Sequence, residues 1–262
     1  MQKLERNFNP PWGIIRVLLT FLITLSAFLG FSLIVGLGLK YLHYLGLIDK
    51  IGRTFFVTTV WGDLLMLFYF ALLGAASYFV ILKRISGSKI AFFIDFPGIK
   101  KDMGYALAVY FFSFLGAFLL GIFVLLGIGF AAFLFHQDPV RWLNAYSQGL
   151  NMEQARITAH LGVVKIILLV FIAPVFEEVF FRGCLYGAIR RNHSFIFSLI
   201  VSSIFFALVH GYFFNFINIL FMGIIASWIY EKRRSLTAPI FFHFLWNLMV
   251  LSITVLGSSK GV

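Results

Sequence analysis

Several stretches of the chain carry no charge over the length needed to cross a lipid bilayer. Residues 17–39 and 103–135 contain no Asp, Glu, Lys or Arg, and residues 54–82 contain only Asp63. A helix needs about 20 apolar residues to cross the hydrocarbon core. Since every backbone polar group must be satisfied within the bilayer, such runs can span it only as helices or closed barrels. Their length favours helices, and the sequence predicts an all-α, polytopic transmembrane bundle.

The apolar runs predict about seven helices, with an eighth possible. They are residues 17–39, 54–82, 103–135, 157–191, 194–210, 211–230 and 235–257. The short connections between the last four favour antiparallel neighbours in one bundle. We therefore divide the chain into N-terminal transmembrane helices and loops (1–156) and a core of four helices (157–257). The polar stretch 136–160 is interpreted as a solvated connector rather than a lid, although 151–160 could form a short amphipathic helix.

Composition and charge narrow the class of protein further. The chain is 61% hydrophobic and only 12% charged, about half the charge of an ordinary soluble domain. If the N-terminus is cytoplasmic, thirteen of the 21 Lys and Arg residues fall on the inner side, seven fall outside and Arg182 lies within a helix. We therefore expect an integral protein of a prokaryotic cell membrane with a cytoplasmic N-terminus. The net charge of +11 is expected to interact with membrane lipids and not with nucleic acid. The sequence leaves the oligomeric state open.

Charged side chains inside the fourth run are costly and therefore suggest a functional site. Glu177 and Glu178 are adjacent and project about 100° apart on a helix. Glu178 and Arg182 are four residues apart, so they share a face and can form an ion pair. A carboxylate near such a fixed charge suits a general base. The pair alone could equally be a structural clamp.

Two later helices add further polar side chains. The fifth run ends with Phe206 and His210 on one face, and the seventh carries His243 and Asn247 at the same spacing of four. A lone His or Asn in a membrane more often joins helices than catalyses a reaction. Together with the residues of the fourth run, however, the set is better explained as one hydrolytic site.

These residues also carry a family resemblance. The patterns E-E-x-x-F-R-G (177–183), F-x-x-x-H (206–210) and H-x-x-x-N (243–247) resemble the CPBP, or Abi, family of intramembrane proteases. That family includes the type II CAAX prenyl endopeptidases and bacteriocin-processing relatives. The resemblance implies an intramembrane glutamate-type endopeptidase that hydrolyses a peptide bond in a membrane-anchored substrate. The substrate would be a prenylated CAAX-type tail or a leader or bacteriocin-type peptide.

The resemblance also implies roles for the matching residues. Glu177 would be the general base, and His210 would help to hold the attacking water. His243 and Asn247 would form an oxyanion hole. Arg182 would support the two glutamates, and Glu178 would belong to the catalytic set. Phe206 would be a supporting residue in the F-x-x-x-H motif.

Other readings of the same residues stay open. If a metal such as zinc were bound, Glu177, His210 and His243 would be its ligands. The sequence has neither H-E-x-x-H nor a helical E-x-x-H, and Arg182 adds positive charge, so we favour a reaction without metal or other cofactor. A non-catalytic immunity or scaffold protein on the same fold is the main alternative function, and an ion-coupled transporter is a third.

One geometric difficulty remains. Counting about 1.5 Å per residue from the predicted inner helix ends puts Glu177, His210 and His243 at roughly 18, 24 and 10 Å depth. A shared site would then require tilted helices, offset helix starts or a loop that dips inward.

Overall fold

The computed structural model describes residues 13–47, 62–81, 98–158 and 161–258, which form eight helices and no strand. The all-α class predicted from the apolar runs is confirmed. The helices are α1 Ile14–Tyr44, α2 Gly62–Ile81, α3 Ile99–Leu134, α4 Pro139–Thr158, α5 163–190, α6 Phe195–Val209, α7 Phe216–Arg233 and α8 Thr237–Ser258. The start of the second predicted run, residues 54–61, lies outside the described residues.

Long apolar helices with little burial identify an integral membrane protein. In the described part of the chain, α1, α3 and residues Thr237–Leu256 of α8 are long and apolar enough to cross a bilayer. On α3, Phe112 is 79% exposed and Phe123 is 71% exposed. Phenyl rings exposed to this degree along a helix of 36 residues are accounted for by contact with lipid chains.

The helix α5 forms the centre of the bundle and is not a regular α-helix. Two π-helical segments, Leu168–Ile172 and Val179–Tyr186, flank the short α-helical segment Ala173–Glu178. Phe180 and Phe181, two and three residues after Glu178, pack on Phe21 of α1 with ring centroids 5.3 and 6.4 Å away. π-Helical turns occur often at functional sites, so their position around Glu177 and Glu178 makes these two residues candidates for such a site.

The stretch that the sequence suggested was a solvated connector is instead a helix. α4 covers Pro139–Thr158, twenty residues, and packs against the end of α3 and against α8. Asp138 begins it, since its Oδ1 accepts a hydrogen bond from the Val140 amide at 2.9 Å. The prediction of a connector was wrong because an amphipathic helix with few strongly apolar residues resembles a polar loop in hydropathy alone.

The predicted boundary between the fifth and sixth helices also shifts. α6 ends at Val209, His210 caps it, and α7 begins only at Phe216 rather than at residue 211. Gly211 turns the chain with a φ of +65°, a conformation that glycine adopts without steric cost. Residues 211–215, which we call the 211–215 segment, therefore form a loop between two antiparallel helices.

A buried ion pair joins α3 to the end of α7. The Arg233 guanidinium donates to Asp102 Oδ1 from Nε at 2.7 Å and from Nη2 at 2.6 Å. Asp102 is 1% exposed, whereas the Arg233 side chain is 29% exposed and lies over the Tyr105 ring at 5.4 Å. The pair links residues 131 apart in sequence and holds the N-terminal half of the chain against the last four helices.

Replacing Arg233 by Ala should destabilise the bundle, because it leaves the Asp102 carboxylate buried without its cation. Removing one partner of a fully buried pair costs about 3–5 kcal/mol, and the partial exposure of Arg233 lowers our expectation to about 2 kcal/mol. Thermal unfolding in detergent or nanodiscs measures the change. Lys232→Ala removes the same charge from the exposed neighbouring position and should leave the unfolding temperature almost unchanged. Equal effects of the two variants would contradict this role.

Candidate active site

The centre of the site is a buried ion pair on α5. Arg182 Nη1 donates to Glu178 Oε1 at 2.8 Å, and the two side chains are 1% and 0% exposed. Arg182 Nη2 also donates to the Gly223 carbonyl of α7 at 3.1 Å. Gly223 also packs closely against α6, because a Cβ there would lie 3.2 Å from Ser203 Cβ. The pair predicted from the spacing of four is present, and it also bridges two helices.

The ring of Phe206 connects the ion pair to both histidines. The Arg182 guanidinium carbon lies 4.5 Å from its centroid. The His210 ring centroid lies 4.5 Å away, and the His243 ring meets Phe206 at 5.7 Å in an edge-on arrangement. Phe206 is 1% exposed, so it excludes solvent from this side of the site and fixes the three side chains around it.

Each histidine is oriented by a hydrogen bond at Nδ1. In His210 this atom lies 2.7 Å from the Phe206 carbonyl, and in His243 it lies 2.8 Å from Glu178 Oε1. A carbonyl or carboxylate oxygen only accepts, so Nδ1 carries the proton in both rings. A neutral imidazole protonated at Nδ1 presents a lone pair at Nε2, and both Nε2 atoms face the same carboxylate.

That carboxylate is Glu177. Its Oε2 lies 3.7 Å from His210 Nε2 and 3.8 Å from His243 Nε2. These distances exceed that of a direct hydrogen bond. The oxygen is buried and has no hydrogen-bond partner among the described residues. Three acceptors therefore surround one small space, which suits a group that donates hydrogen bonds, as water does.

Glu177 and Glu178 reach the site from different sides of one imidazole. Glu178 contacts Nδ1 of His243, and Glu177 faces its Nε2. Because adjacent side chains on a helix point in different directions, the two carboxylates lie at opposite edges of the His243 ring. The three helices bring these residues together despite the unequal depths counted from the sequence, so the helices are tilted or offset relative to one another.

Comparison with known proteins covers this part of the chain. Residues 158–249 match the family model "Type II CAAX prenyl endopeptidase Rce1-like". "Putative membrane peptidase YdiL" of Bacillus subtilis (strain 168) is 28% identical over 128 residues, 47% of this chain and 52% of that protein. "Membrane-embedded CAAX protease MroQ" of Staphylococcus aureus (strain USA300) is 37% identical over 114 residues, 41% of this chain and 46% of that protein.

Residues 158–249 are therefore similar to the Rce1-like CAAX proteases of the CPBP family. The resemblance inferred from the three motifs is confirmed. The chain spans about half the length of the curated relatives that it matches. No solved structure matches it significantly.

Asn247, the last residue of the third CPBP motif, contacts a more distant part of α5. Its Nδ2 donates to the Leu169 carbonyl at 2.8 Å. In the π-helical segment the Ala173 amide pairs with the Leu168 carbonyl, so the next carbonyl, that of Leu169, would need an N–H at residue 174. Pro174 has none. Asn247 therefore satisfies the carbonyl that this proline leaves free.

Zinc, the alternative that the sequence left open, would need ligands from the described residues of this site. No three His, Cys, Asp or Glu side chains in the described ranges are arranged as a group that could hold a metal ion. Glu177 Oε2 and the two histidine Nε2 atoms are the donors a metal would have to bridge. Glu178, the other acid nearby, is already paired with Arg182 and with His243 Nδ1.

Sequence reasoning missed two contributors to the geometry. The Gly223 carbonyl, which accepts from Arg182, belongs to a backbone atom that no side-chain motif reveals. Glu153 of α4, outside the matched segment, accepts hydrogen bonds from the 211–215 segment that follows His210. Only its position in an amphipathic pattern could have drawn attention to it.

The role of Asn247 can be tested with a double-mutant cycle. Asn247→Ala leaves the Leu169 carbonyl without its donor and should cost about 1–2 kcal/mol of stability. In a Pro174→Ala background residue 174 regains an N–H that can pair with that carbonyl, so the same change should cost less. Thermal unfolding of the four proteins measures the difference. A cost of Asn247→Ala that is identical in both backgrounds would contradict the link.

Proposed function

We propose that the protein is a membrane-embedded endopeptidase in which Glu177, His210 and His243 activate a water molecule. The observation that carries the proposal is the buried Glu177 Oε2 without a hydrogen-bond partner among the described residues, facing two imidazole nitrogens at 3.7 and 3.8 Å. The CPBP assignment of residues 158–249 and the names of both relatives support peptidase chemistry.

In the proposed reaction, Glu177 is the general base. A water bridging its Oε2 and His210 Nε2 gives one proton to the carboxylate as the water oxygen attacks the peptide carbonyl carbon. The carbonyl π bond opens to an oxyanion. The proton held by Glu177 then passes to the amide nitrogen as the C–N bond breaks, which leaves an acid and an amine and restores the carboxylate.

His243 is proposed to stabilise the oxyanion. Its Nδ1–H is fixed on Glu178, which turns Nε2 towards Glu177 and hence towards the reacting carbonyl. As the oxyanion forms, the proton that Glu177 took from the water is proposed to move to His243 Nε2, 3.8 Å away, which donates it to the oxyanion before it returns to the carboxylate. Asn247, assigned to the oxyanion hole by the family motif, retains a second amide hydrogen beside the one given to Leu169 and is proposed to assist.

The proposed substrate is a peptide that reaches the site from the membrane, entering beside His210. The His210 side chain is 23% exposed, whereas that of His243 is 3% exposed, so the cleft opens on the His210 side. Both a prenylated CAAX-type tail and a leader or bacteriocin-type peptide suit this entry. We propose the reaction without metal, since the donors described above do not form a metal-binding group.

The direct test compares two adjacent glutamates in purified protein reconstituted in lipid. Glu177→Gln should lower the rate of peptide cleavage by about 10²–10⁴-fold and leave thermal unfolding nearly unchanged, since only the base is lost. Glu178→Gln should lower stability as well as activity, because it leaves Arg182 buried without its anion. Ser252→Ala, on the exposed face of α8, is the matched control and should be fully active.

Substrates for that test are a prenylated C-terminal peptide and an unprenylated leader-type peptide, each followed by mass spectrometry. Full activity of Glu177→Gln would overturn the proposal. Loss of native activity on chelation, restored by zinc, would overturn the metal-free mechanism alone. Failure of the native protein to cleave any membrane-presented peptide would favour the non-catalytic alternative.

A further inference from the structure

We propose that Glu153 of α4 is a positioning residue that sets His210 against Glu177 by holding the 211–215 segment. This inference rests on the proposed function, because it assigns Glu153 an effect on the same reaction. Glu153 lies outside residues 158–249, which match the CAAX endopeptidase family model. The contact between Glu153 and the 211–215 segment therefore involves a part of the chain that the family model does not cover.

The Glu153 carboxylate is fully engaged with the backbone that follows His210. Oε1 accepts from the Phe214 amide at 2.9 Å. Oε2 accepts from the Asn215 amide at 2.9 Å and from Asn215 Nδ2 at 3.0 Å. Glu153 is only 6% exposed, so these bonds to an ionised acceptor form away from bulk water and are correspondingly strong.

Two other turns of α4 hold the same segment. Tyr146 donates its hydroxyl to the Phe214 carbonyl at 3.4 Å, and the two rings lie 6.0 Å apart. The Phe214 ring occupies the space that a Cβ at Gly149 would need. Tyr146, Gly149 and Glu153 are spaced three and four residues apart, so they form one face of the helix. α4 therefore contacts Phe214 and Asn215 along about two turns.

His210 depends on this support more than His243 does. The His243 ring is held by Glu178, which is itself paired with Arg182, all within buried helices. The described hydrogen bond of the His210 ring is to the carbonyl of Phe206, one turn back in its own helix. His210 caps that helix directly before the turn at Gly211, so the position of its backbone depends on where the 211–215 segment is fixed.

The first measurement is the steady-state kinetics of Glu153→Gln in lipid. A glutamine has one acceptor oxygen, and its amide group would face an N–H donor of the segment. We expect kcat to fall about tenfold with KM changed less than twofold, because substrate binding is retained while His210 moves from Glu177. Glu153→Asp, which keeps the carboxylate, should recover part of kcat. Asp138→Asn removes a charge from the same helix, retains an N-cap residue and should leave kcat unchanged.

The second measurement does not depend on activity. Hydrogen exchange followed by mass spectrometry should show faster exchange of the Phe214 and Asn215 amides in Glu153→Gln than in Asp138→Asn. If Glu153→Gln does not fold, Tyr146→Phe provides a weaker version of the same change. Unchanged exchange, or faster exchange with unchanged kcat, would overturn the positioning role. Faster exchange in a protein whose native form cleaves nothing would overturn the proposed function while supporting the contact between Glu153 and the segment.

Discussion

The site depends on one buried ion pair between Glu178 and Arg182. Burying either charge alone would cost much free energy, but the two opposite charges offset each other. The Gly223 carbonyl also accepts a hydrogen bond from the Arg182 guanidinium. The pair also joins α5 to α7, supports the Phe206 ring and orients His243. The orientation of the His243 imidazole is therefore a consequence of how the bundle accommodates its buried charge.

The same arrangement separates the roles of two adjacent carboxylates. Glu178 Oε1 is paired with Arg182 and with His243 Nδ1, whereas its Oε2 is buried without a partner among the described residues. Glu177 has a buried oxygen without a partner among the described residues, next to two imidazole nitrogens that both present lone pairs. Divergent environments for neighbouring acids are a familiar basis for assigning different tasks to them. Here Glu178 supports the geometry, and Glu177 is the acid that we propose takes part in the reaction.

Much of the fold and of the proposed site was predictable from the sequence. The features that were not predictable depend on contacts between residues far apart in the chain. Uncharged runs indicate membrane helices, and the spacing of Glu178 and Arg182 predicts their contact because helical periodicity is local. Only the last part of α4 was anticipated, as a possible amphipathic helix at 151–160, since the mean hydropathy of the helix is low and its burial depends on distant partners. The contact of Asn247 with Leu169 depends on a π-helical turn before Pro174, and no spacing rule predicts a pairing between residues 78 apart.

The central claim is that water occupies the space between Glu177 Oε2 and the Nε2 atoms of His210 and His243. A high-resolution experimental structure of the native protein in lipid, with density sharp enough to show ordered water, tests it directly. We expect a peak within about 3.2 Å of Glu177 Oε2 and of at least one Nε2, with no strong anomalous signal. A direct hydrogen bond from Glu177 to a histidine with no solvent peak, or an anomalous peak about 2.0–2.2 Å from these atoms, would contradict it.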